Sequence, residues 1–477
     1  MAMTTIWSAA CRHRKLAAAL LILVCIINKF TFSSTASKLS LLPYNAPATI
    51  QSKSSATTGF PSDMFAAEAL PSTNSDAAKP SDFDCKPKIY VYPAPSDMQV
   101  NKKASRMYFQ LETELISGLQ QRGRVVDDPT EADIFWVPHA LVAHWIIRDG
   151  GGDQDRMKEY YNLQLRPFLQ HIYYDLPYFN ASNGRDHVFV YTMDMGPICE
   201  LDHGSPVFSY DDIWHKVIHP MIQIGYSGQR GLRPTIETAS VHRPECWDDE
   251  RDIAVPQYHK WDMRKSVEAA NCLFEKDNCQ PWADLLLERA ARIKAGFFFK
   301  GQTIAGKFCS VGIRQWVATF CKTTSWCQNA TEMKDAVFGL CPAGWACWSS
   351  RLYDAFDKGT IPILLADDMV IPFERWLDYD ELIFQITTGS PVQLASDGGV
   401  DFSELHSLAQ SWIQACNTDA STETCVSHRV SEMMANIATS RQWFGWNPDG
   451  DENAFAMVEK ELMARVKPAV CSPPVKT

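Results

Sequence analysis

The stretch Ala336–Asp368 constrains the fold more than any other part of this 477-residue chain. Its first residues, Ala336–Pro342, form an apolar run that ends in proline and predicts a buried strand. A loop of small residues follows, and apolar residues at helical spacing then predict a helix that ends at Gly359. Thr360–Ala366 predicts a second buried strand. Strand, loop, helix and strand form one βαβ unit, which indicates a parallel sheet in an α/β protein.

The loop of this unit has the residue types of an anion-binding site. It contains Gly344 and follows a strand, at the edge where open α/β sheets bind ligands. Ser349 or Ser350 is placed to cap the helix, whose first turn would add unpaired N–H groups. Arg351 adds a cation with bidentate donors, and Asp354 on the same face could accept hydrogen bonds from a ribose diol. A surface Arg–Asp pair on an ordinary helix remains the alternative, because the loop has neither a G-x-G-x-x-G nor a P-loop pattern.

The rest of the chain predicts two α/β halves. The segments that predict strands are Lys88–Tyr92, Val125–Asp127, Ala132–Pro138, His187–Thr192, Asp252–Pro256, Ala295–Gly301 and Glu381–Ile386. The segments that predict helices are Ser105–Gln121, Tyr160–Tyr174, Asp211–Gly225, Trp282–Lys294, Ile313–Phe320, Phe402–Cys416, Val430–Trp443 and Asn453–Val466. We expect an N-terminal α/β domain at residues 85–256, a C-terminal α/β domain at 257–445, and a C-terminal helix and tail at 446–477. A cleft between two such halves would suit a two-part substrate.

The first residues predict entry into the secretory pathway. The basic cluster Arg12–Lys15 precedes Leu16–Ile27, an unbroken apolar run. We expect a cytosolic tail at residues 1–15, a transmembrane signal anchor at 16–32 and a flexible stem at 33–84. The stem is rich in Ser, Thr, Ala and Pro. A cleaved signal peptide is the alternative to the retained anchor.

Sequons and cysteines agree with a lumenal body. Asn180 and Asn329 each begin an N-x-S/T glycosylation sequon. The chain has 15 cysteines and no C-x-x-C. Thirteen of the cysteines follow the N-terminal segment, so at least one remains free or pairs elsewhere. The closest pairs have five or six residues between them, a spacing better suited to disulfides than to zinc: Cys272/Cys279, Cys321/Cys327 and Cys341/Cys347.

The charge of the chain limits its partners. With 56 acidic and 45 basic residues, the formal net charge is −11. This balance argues against a nucleic-acid-binding protein. It allows neutral or cationic partners, or an acidic donor that is held by a local basic site.

Several sequence blocks, in order, resemble the exostosin family of glycosyltransferases. The most specific block reads FGLCPAGWACWSSRLYDAFDKGTIPILLADDMVIPFERWLDYDELIFQI. It is similar to the family pattern C-P-x-G … S-x-R-x-x-E/D-A … G-x-I-P-V … P-F … W. Further matching blocks are KIYVYP, ADIFWVP, GRDHVFVYTMDMG, DIAVP, GFFFKG and VGIRQ. The resemblance extends over Lys86–Trp443.

This resemblance implies the GT-B fold, in which two Rossmann-like domains face a cleft, here preceded by a membrane anchor and a disordered stem. It implies an inverting glycosyltransferase of the Golgi membrane, a single-pass type II protein with its catalytic part in the lumen. The donor would be a nucleotide sugar, usually UDP-linked, and the acceptor a glycan or polysaccharide. The resemblance implies that the domain at residues 85–256 is the acceptor side and that the domain at 257–445 binds the nucleotide sugar. No cofactor and no essential metal are expected, and a partner glycosyltransferase remains open.

The resemblance also implies roles for individual residues. The residues that fall in the donor-nucleotide region are Gly344, Ser349, Ser350, Arg351 and Asp354. Arg314 of the VGIRQ block matches a basic position that is expected to meet the diphosphate. Lys300, at a strand end, is a reserve cation, and a solvated strand terminus is its alternative interpretation.

Fewer residues of the sequence point to the general base than to the donor site. In the block GRDHVFVYTMDMG the family often has His-Asp near the end, where this chain has Met193 and Asp194. We predict Asp194 as the base because an inverting transfer needs a group that takes the acceptor proton. Asp186 and His187 are interpreted as turn and core residues. His139 is interpreted as a polar wall residue.

Three rival classes remain. A catalytically silent exostosin-like protein that binds glycan or escorts a partner enzyme would share the same anchor, stem and fold. A secreted hydrolase would need a G-x-S-x-G elbow, which the sequence lacks, or a clear carboxylate pair. A metal-dependent transferase would use a D-x-D pair. The triples that begin at Asp153, Asp378 and Asp449 are interpreted as solvated loops.

Overall fold

A computed structural model of the chain describes residues 85–98, 110–145, 154–192, 208, 211–226, 247–258, 282–303, 312–344, 349–366, 369–386, 400–417 and 422–473. The predicted tail, anchor and stem lie outside these residues, as does the predicted base Asp194. Within the described residues, no helix combines the length and the apolarity that a membrane span requires.

The described residues of the first half of the chain form a parallel sheet of six strands. In chain order they are β1 (Ile89–Val91), β2 (Val125–Val126), β3 (Ile134–Trp136), β4 (His187–Val190), β5 (Ile222–Gly225) and β6 (Ile253–Ala254). They lie in the order β2-β1-β3-β4-β5-β6, and every neighbouring pair is parallel. The strand order reverses at β1, because β2 lies on one side of it and β3 on the other.

The second half forms a parallel sheet of four strands. They are β7 (Ala295–Phe298), β8 (Ala336–Pro342), β9 (Ile361–Leu365) and β10 (Phe384–Gln385), in the order β10-β9-β8-β7. All three pairings are parallel. The predicted βαβ unit is confirmed, since β8 and β9 are neighbours with a helix between them in the chain. The prediction of an α/β protein with parallel sheets is likewise confirmed.

Helices cover and connect the two sheets. In chain order they are α1 (Leu111–Gln121), α2 (Leu141–Trp145), α3 (Gln154–Tyr160), α4 (Arg166–Tyr174), α5 (Pro177–Ser182), α6 (Trp282–Arg292), α7 (Ile313–Thr323), α8 (Arg351–Asp357), α9 (Ser403–Asn417), α10 (Thr422–Val426), α11 (Arg429–Ser440) and α12 (Ala454–Val466). Two π-helical turns lie at Tyr161–Leu165 and Trp214–Ile218.

Successive side chains of a strand point to opposite faces, so the six-stranded sheet has a separate core on each face. Phe135 and Phe189 pack on one face, together with buried residues of α4. Ile134 and Val188 pack on the other face, together with buried residues of α1 and α12. Because helices cover both faces, both alternating sets of strand side chains are apolar, and the strands appear in the sequence as continuous apolar runs.

The last helix, α12, packs on the first sheet, although the second sheet precedes it in the chain. Phe455 fills the space beside Gly118 of α1, where an added Cβ would lie 2.1 Å from the phenyl ring. Glu459 forms ion pairs with Arg122 at 2.7 Å and with Arg124 at 2.9 Å. The C-terminal helix is therefore fastened to the first half of the chain by packing and by charge.

One predicted helix is wrong. Asp211–Gly225 does not form a single helix, because the helical part ends in the π turn Trp214–Ile218 and Ile222–Gly225 is strand β5. Every residue of β5 is buried. A short run buried on all sides carries no periodicity that distinguishes a strand from a continued helix.

The disulfides follow the sequence spacing only in part. Cys321 and Cys327, one of the closely spaced pairs, form a disulfide. Cys341 is a free, buried thiol in β8, so its spacing from Cys347 does not correspond to a disulfide. The pair Cys272/Cys279 lies outside the described residues. Two further disulfides, which the spacing does not reveal, are Cys85–Cys471 and Cys416–Cys425.

Candidate functional site

The predicted donor residues converge at one edge of the four-stranded sheet. Because β7, β8 and β9 are parallel, the segments that follow them emerge on the same side. We call this region the carboxyl edge. It consists of Phe299–Thr303 after β7, Ala343–Gly344 after β8, Ser349–Asp354 at the start of α8, and Arg314 in the first turn of α7.

Arg351 is fixed to the loop that follows β7. Its Nε donates a hydrogen bond to the main-chain carbonyl of Lys300 at 3.0 Å. Its guanidinium carbon lies 5.3 Å from the ring centroid of Phe299, within the range of a cation–π contact. Gly301 leaves the space that the guanidinium occupies, since an added Cβ would lie 1.9 Å from Arg351 Nη2. The loop therefore determines the position of the cation.

Arg314 reaches the same loop from α7. The helix begins after Gly312, whose φ of 82° lies in the left-handed region. Arg314 Nε donates to the carbonyl of Ala343 at 2.8 Å, and its Nη1 lies 3.5 Å from the carbonyl of Gln302. Burial, and secondly repulsion from Arg351, lower the pKa of Arg314 to about 10. Two guanidiniums thus lie close enough to oppose each other's charge.

These two cations have no compensating carboxylate among the described residues, because no Asp or Glu oxygen there lies within 4.0 Å of either guanidinium. Their hydrogen-bond partners in the described part of the chain are neutral main-chain carbonyls. A partly buried charge without an opposite charge is unfavourable. An anion bound beside Arg314 and Arg351 would remove this cost, and a diphosphate offers oxygens that match the donors of both guanidiniums.

The two serines do not cap α8. Ser350 occupies the N-cap position, but its side chain makes no capping hydrogen bond, so the predicted cap is wrong. Ser349 is 2% exposed, and its hydroxyl has no hydrogen-bond partner in the part of the chain that the structure describes. Since buried hydroxyls are normally paired, the Ser349 hydroxyl is available to a ligand. With seven residues, α8 is short, so the arginines rather than the helix dipole carry the positive charge.

The remaining predicted donor residues also lie at this edge. Gly344 is buried directly after β8, and Asp354 is exposed in the first turn of α8. Arg351 and Asp354 both lie near enough to Cys341 to affect its thiol, with opposite signs. Lys300 is exposed, and its carbonyl rather than its ammonium contacts Arg351. The structure therefore brings all the predicted donor residues together.

The carboxyl end of β3 carries a pair that sequence reasoning missed. His139 Nδ1 lies 3.0 Å from Glu112 Oε1, and each side chain is only 1% exposed. Glu112 also accepts hydrogen bonds from the N–H groups of Val142 at 3.1 Å and Ala143 at 3.2 Å, which hold the start of α2. His139, interpreted from the sequence as a polar wall residue, is thus a buried partner of Glu112. A glutamate in the first turn of an amphipathic helix gives no sequence signal for such burial.

Asp186 and His187 have structural contacts. His187 Nε2 is hydrogen-bonded to the hydroxyl of Tyr92 at 2.7 Å, and its Nδ1 lies 2.6 Å from Asp186 Oδ1. The hydroxyl of Ser182 donates to the same carboxylate oxygen. His187 is fully buried at the start of β4, the edge opposite to the one where ligands of parallel sheets bind. These contacts agree with the turn and core interpretation.

The glycosylation and metal predictions concern residues at the surface. Asn180 and Asn329 are both exposed, and Asn329 has a left-handed φ of 73°. Asp378 accepts a hydrogen bond from the N–H of Asp380 at 3.3 Å, within a short 3₁₀ turn. Among the described residues, no group of three or more His, Cys, Asp and Glu side chains is arranged to hold a metal ion.

With this geometry established, comparison with known proteins decides the family. The model of the exostosin GT47 domain matches residues 84–397. The chain belongs to the exostosin GT47 family. The matched residues include all ten strands of the two sheets and the whole carboxyl edge. The resemblance drawn from the sequence blocks is therefore confirmed.

Relatives within the exostosin GT47 family are curated plant proteins. Over 315 residues the chain is 24% identical to a probable glucuronoxylan glucuronosyltransferase of Arabidopsis thaliana, with 62% of this chain and 60% of the relative covered. It is 26% identical over 314 residues to "Probable glucuronoxylan glucuronosyltransferase IRX7", with 61% and 62% covered. It is 26% identical over 322 residues to "Probable beta-1,4-xylosyltransferase IRX10L", with 62% and 66% covered. Both are also from Arabidopsis thaliana. The match thus spans between 60% and 66% of the length of these relatives.

Proposed function

We propose that this exostosin GT47 chain is a glycosyltransferase that moves a sugar from a nucleotide sugar, UDP-linked, to a glycan acceptor. The relatives are named glucuronosyl- and xylosyltransferases, which supports glycosyl transfer and makes a uronosyl or pentosyl unit the first donor to test. The single observation that carries the proposal is the pair Arg314 and Arg351 at the carboxyl edge. Both are held by main-chain carbonyls and neither has a carboxylate partner among the described residues.

Arg314 and Arg351 can supply the positive charge that a leaving diphosphate requires. In the proposed reaction an acceptor hydroxyl attacks the anomeric carbon, the bond from that carbon to the diphosphate oxygen breaks, and UDP leaves with the bonding electrons. Negative charge therefore grows on the diphosphate in the transition state. Arg314 and Arg351 would stabilise it through charge-assisted hydrogen bonds, already in position before reaction. Attack from the opposite face inverts the anomeric configuration.

The other residues of the edge would hold the nucleoside and the phosphates. Asp354 would accept hydrogen bonds from the ribose diol, and the unpaired hydroxyl of Ser349 would donate to a phosphate oxygen. Gly344 would let the main chain approach the ligand, as glycine does in phosphate loops. Ser350 and Lys300, at the rim of the edge, would supply further donors.

The acceptor proton needs a base, for which we propose Asp194. In the chain it comes four residues after Val190, the last residue of β4, and open α/β sheets bind ligands beyond the carboxyl ends of their strands. Replacing it with Asn would remove the proton acceptor and keep the size of the side chain. Transfer is expected to fall by at least about 100-fold, a typical contribution of general-base catalysis, with UDP affinity unchanged. Near-normal turnover of Asp194→Asn would exclude it as the base.

The cellular setting is part of the same proposal. We propose the GT-B arrangement of two Rossmann-like domains, supported by the two parallel sheets. We further propose a single-pass type II protein of the Golgi membrane, with Leu16–Ile27 as anchor, a lumenal catalytic part glycosylated at Asn180 and Asn329, and no essential metal. Localisation of the tagged full-length chain, digestion with a glycosidase that removes N-linked glycans, and transfer measured in EDTA would test these points separately.

The central experiment is UDP binding by calorimetry with the full-length chain. Arg351→Ala and Arg314→Ala should each weaken binding by about 10- to 100-fold, since a hydrogen bond to a charged group contributes about 1.5–3 kcal/mol. Lys322→Ala is the matched control, because Lys322 is an exposed cation at the far end of α7. Unchanged UDP affinity in both arginine variants would overturn the proposed site.

A screen of UDP-sugars would then separate an active enzyme from the catalytically silent alternative. Donor hydrolysis or transfer, read as release of UDP, identifies an enzyme and its sugar. UDP binding that depends on Arg351 but gives no turnover with any donor, with oligosaccharide acceptors present, would favour the silent alternative.

A further inference from the structure

A cavity lies on the four-stranded half of the molecule, away from the carboxyl edge. Its volume is about 390 Å³, within the size range of small-ligand sites. We call it the amino-edge cavity. Its lining includes the cations Arg289, Arg292 and Lys334 and the apolar side chains of Trp282, Leu285 and Met434.

The chain order shows that this cavity is separate from the proposed donor site. Lys334 and Asp335 immediately precede β8, and Lys358 and Gly359 come just before β9. The cavity therefore lies at the amino ends of the strands. With seven residues, β8 separates the two edges by about 20 Å at about 3.3 Å per residue. A nucleotide sugar at Arg314 and Arg351 would not fill the amino-edge cavity.

Arg289 carries an incompletely paired charge beside this cavity. Its guanidinium donates to the carbonyl of Lys358 at 3.2 Å, to the carbonyl of Ala336 at 3.4 Å and to the hydroxyl of Thr360 at 3.1 Å. All three acceptors are neutral, and Nε is buried without a partner in the described part of the chain. Burial, and secondly repulsion from Arg292, lower the pKa of Arg289 to about 10. An anion in the cavity would offset this buried charge.

The rim adds further positive charge. Five cations and two carboxylates line the cavity, whereas the whole chain carries a net charge of −11. Arg292 and Lys334 do pair with Glu288 at 2.9 Å and with Glu332 at 2.7 Å. Those pairs are largely exposed, so each contributes little and can exchange for a ligand. Asp335 is itself paired with Lys294 at 3.2 Å, which offsets part of its repulsion of an anion.

The remaining wall is apolar. Trp282, Leu285, Leu286, Met434 and Ala438 line the same cavity as the cations. A small inorganic anion would use the cations but leave this apolar surface empty. A sugar ring has one face of C–H groups that packs on aromatic and aliphatic side chains, and a uronic acid adds a carboxylate to such a ring. The combination of an aromatic wall with Arg289, whose partners among the described residues are all neutral, therefore favours a sugar acid.

We propose that the amino-edge cavity binds a uronic acid unit of an acidic glycan, as a second carbohydrate site separate from the site of the transfer reaction. The carboxylate of the uronic acid pairs with the positive rim around Arg289 and Arg292, and the ring packs on Trp282. Such a site lets the protein hold an acidic polysaccharide while the carboxyl edge handles the donor. It does not depend on which sugar, if any, the chain transfers.

The test is binding of trigalacturonate to the full-length chain by calorimetry at low ionic strength. Its fully methyl-esterified form is the matched ligand, with the same rings but no charge, and should bind at least about 10-fold more weakly. Arg292→Glu and Trp282→Ala should each weaken trigalacturonate binding by a similar factor. Arg292 is exposed and Trp282 is partly exposed, so both variants are expected to fold. Arg289 is left unchanged, because its contacts with two carbonyls and a hydroxyl make it a structural tie.

Two controls separate this site from the donor site. Arg351→Ala should leave trigalacturonate affinity unchanged, and Arg292→Glu should leave UDP affinity unchanged, which also shows that the variant is folded. Equal binding of the acid and its ester, or trigalacturonate binding that neither Arg292→Glu nor Trp282→Ala weakens, overturns the proposal. UMP binding that Arg292→Glu abolishes, with no trigalacturonate binding, also overturns it and assigns the cavity to a nucleotide. Loss of UDP binding in Arg351→Ala tests only the donor site.

Discussion

Arg351 occupies the space that a side chain at residue 301 would need. A Cβ added to Gly301 would lie 1.9 Å from Arg351 Nη2, closer than any real contact of that kind. The same guanidinium donates to the carbonyl of the preceding residue, Lys300, at 3.0 Å. The Arg351 guanidinium can therefore hold this position only while residue 301 is glycine. The position of Arg351, which is proposed to bind the diphosphate, therefore depends on Gly301, a residue that has no side chain to contact the diphosphate.

Gly301→Ala is accordingly expected to displace the Arg351 guanidinium. UDP affinity should fall by about 10-fold or more, because a charge-assisted hydrogen bond contributes about 1.5–3 kcal/mol. Gly339→Ala is the matched control, since a Cβ there meets its neighbours at 3.5 Å, an ordinary contact, and should leave UDP binding intact. Calorimetric titration with UDP measures the affinity of both variants. If the two alanine variants bind UDP equally well, the loop does not position Arg351.

Replacement of Arg314 should have opposite effects on UDP binding and on the stability of the fold. Burial and the neighbouring Arg351 both oppose its charge, which lowers its pKa to about 10. Arg314→Met keeps much of the side-chain volume and removes the charge. We expect the free energy of unfolding to stay the same or rise by up to about 1 kcal/mol, while UDP affinity falls at least about 10-fold. Urea unfolding measures the change in stability, and calorimetry measures the change in UDP affinity. A variant that loses stability and keeps UDP affinity would identify Arg314 as a structural residue.

The strands and the donor loop are predictable because their signals are local. A buried apolar run bounded by proline, followed by small residues and an amphipathic segment, specifies β8, its loop and α8 with little help from distant residues. Gly359 ends the helix region with a left-handed φ of 59°, as the sequence predicts. The relative placement of Ser349, Arg351 and Asp354 follows from the same unit.

What could not be predicted depends on contacts between distant parts of the chain. Glu112 becomes a buried carboxylate only because the loop after β3, about 30 residues later in the chain, wraps around it. The contact between Gly301 and Arg351 joins segments 50 residues apart, and no periodicity records it. In the sequence β5 resembles a continued helix, because full burial removes the alternation that marks a strand. Sequence patterns thus specify elements, whereas packing specifies which polar groups are buried.

Glu459 should be important for stability because it compensates two buried arginines. It pairs with Arg122 at 2.7 Å and with Arg124 at 2.9 Å, and its side chain is 4% exposed. Glu459→Gln leaves both guanidiniums without this opposite charge, at an expected cost of about 3–5 kcal/mol in unfolding free energy. Urea denaturation followed by tryptophan fluorescence would measure this loss.

The exposed pair of Lys88 and Glu131 provides the control for Glu459. These residues pair at 3.2 Å, but both side chains are more than half exposed. Glu131→Gln is therefore expected to cost less than about 1 kcal/mol in unfolding free energy. Equal losses in Glu459→Gln and Glu131→Gln would mean that α12 is not fastened to the first sheet by charge.

Cys341 should make stability depend on pH in the alkaline range. Burial raises the pKa of its thiol from 9.0 to about 12 in the folded chain. Above about pH 9 the unfolded chain releases this proton while the folded chain keeps it, so the unfolded state binds fewer protons and stability falls as the pH rises. One pH unit corresponds to about 1.4 kcal/mol, so this thiol alone should lower the unfolding free energy by about 1.4 kcal/mol at about pH 10.

Cys341→Ala isolates this effect. The variant has its own constant cost from lost packing, but it should lack the pH-dependent part. The difference in unfolding free energy between the two proteins, measured in urea at about pH 8 and about pH 10, should therefore shrink by about 1.4 kcal/mol at the higher pH. Parallel pH profiles would mean that the thiol is not shielded in β8.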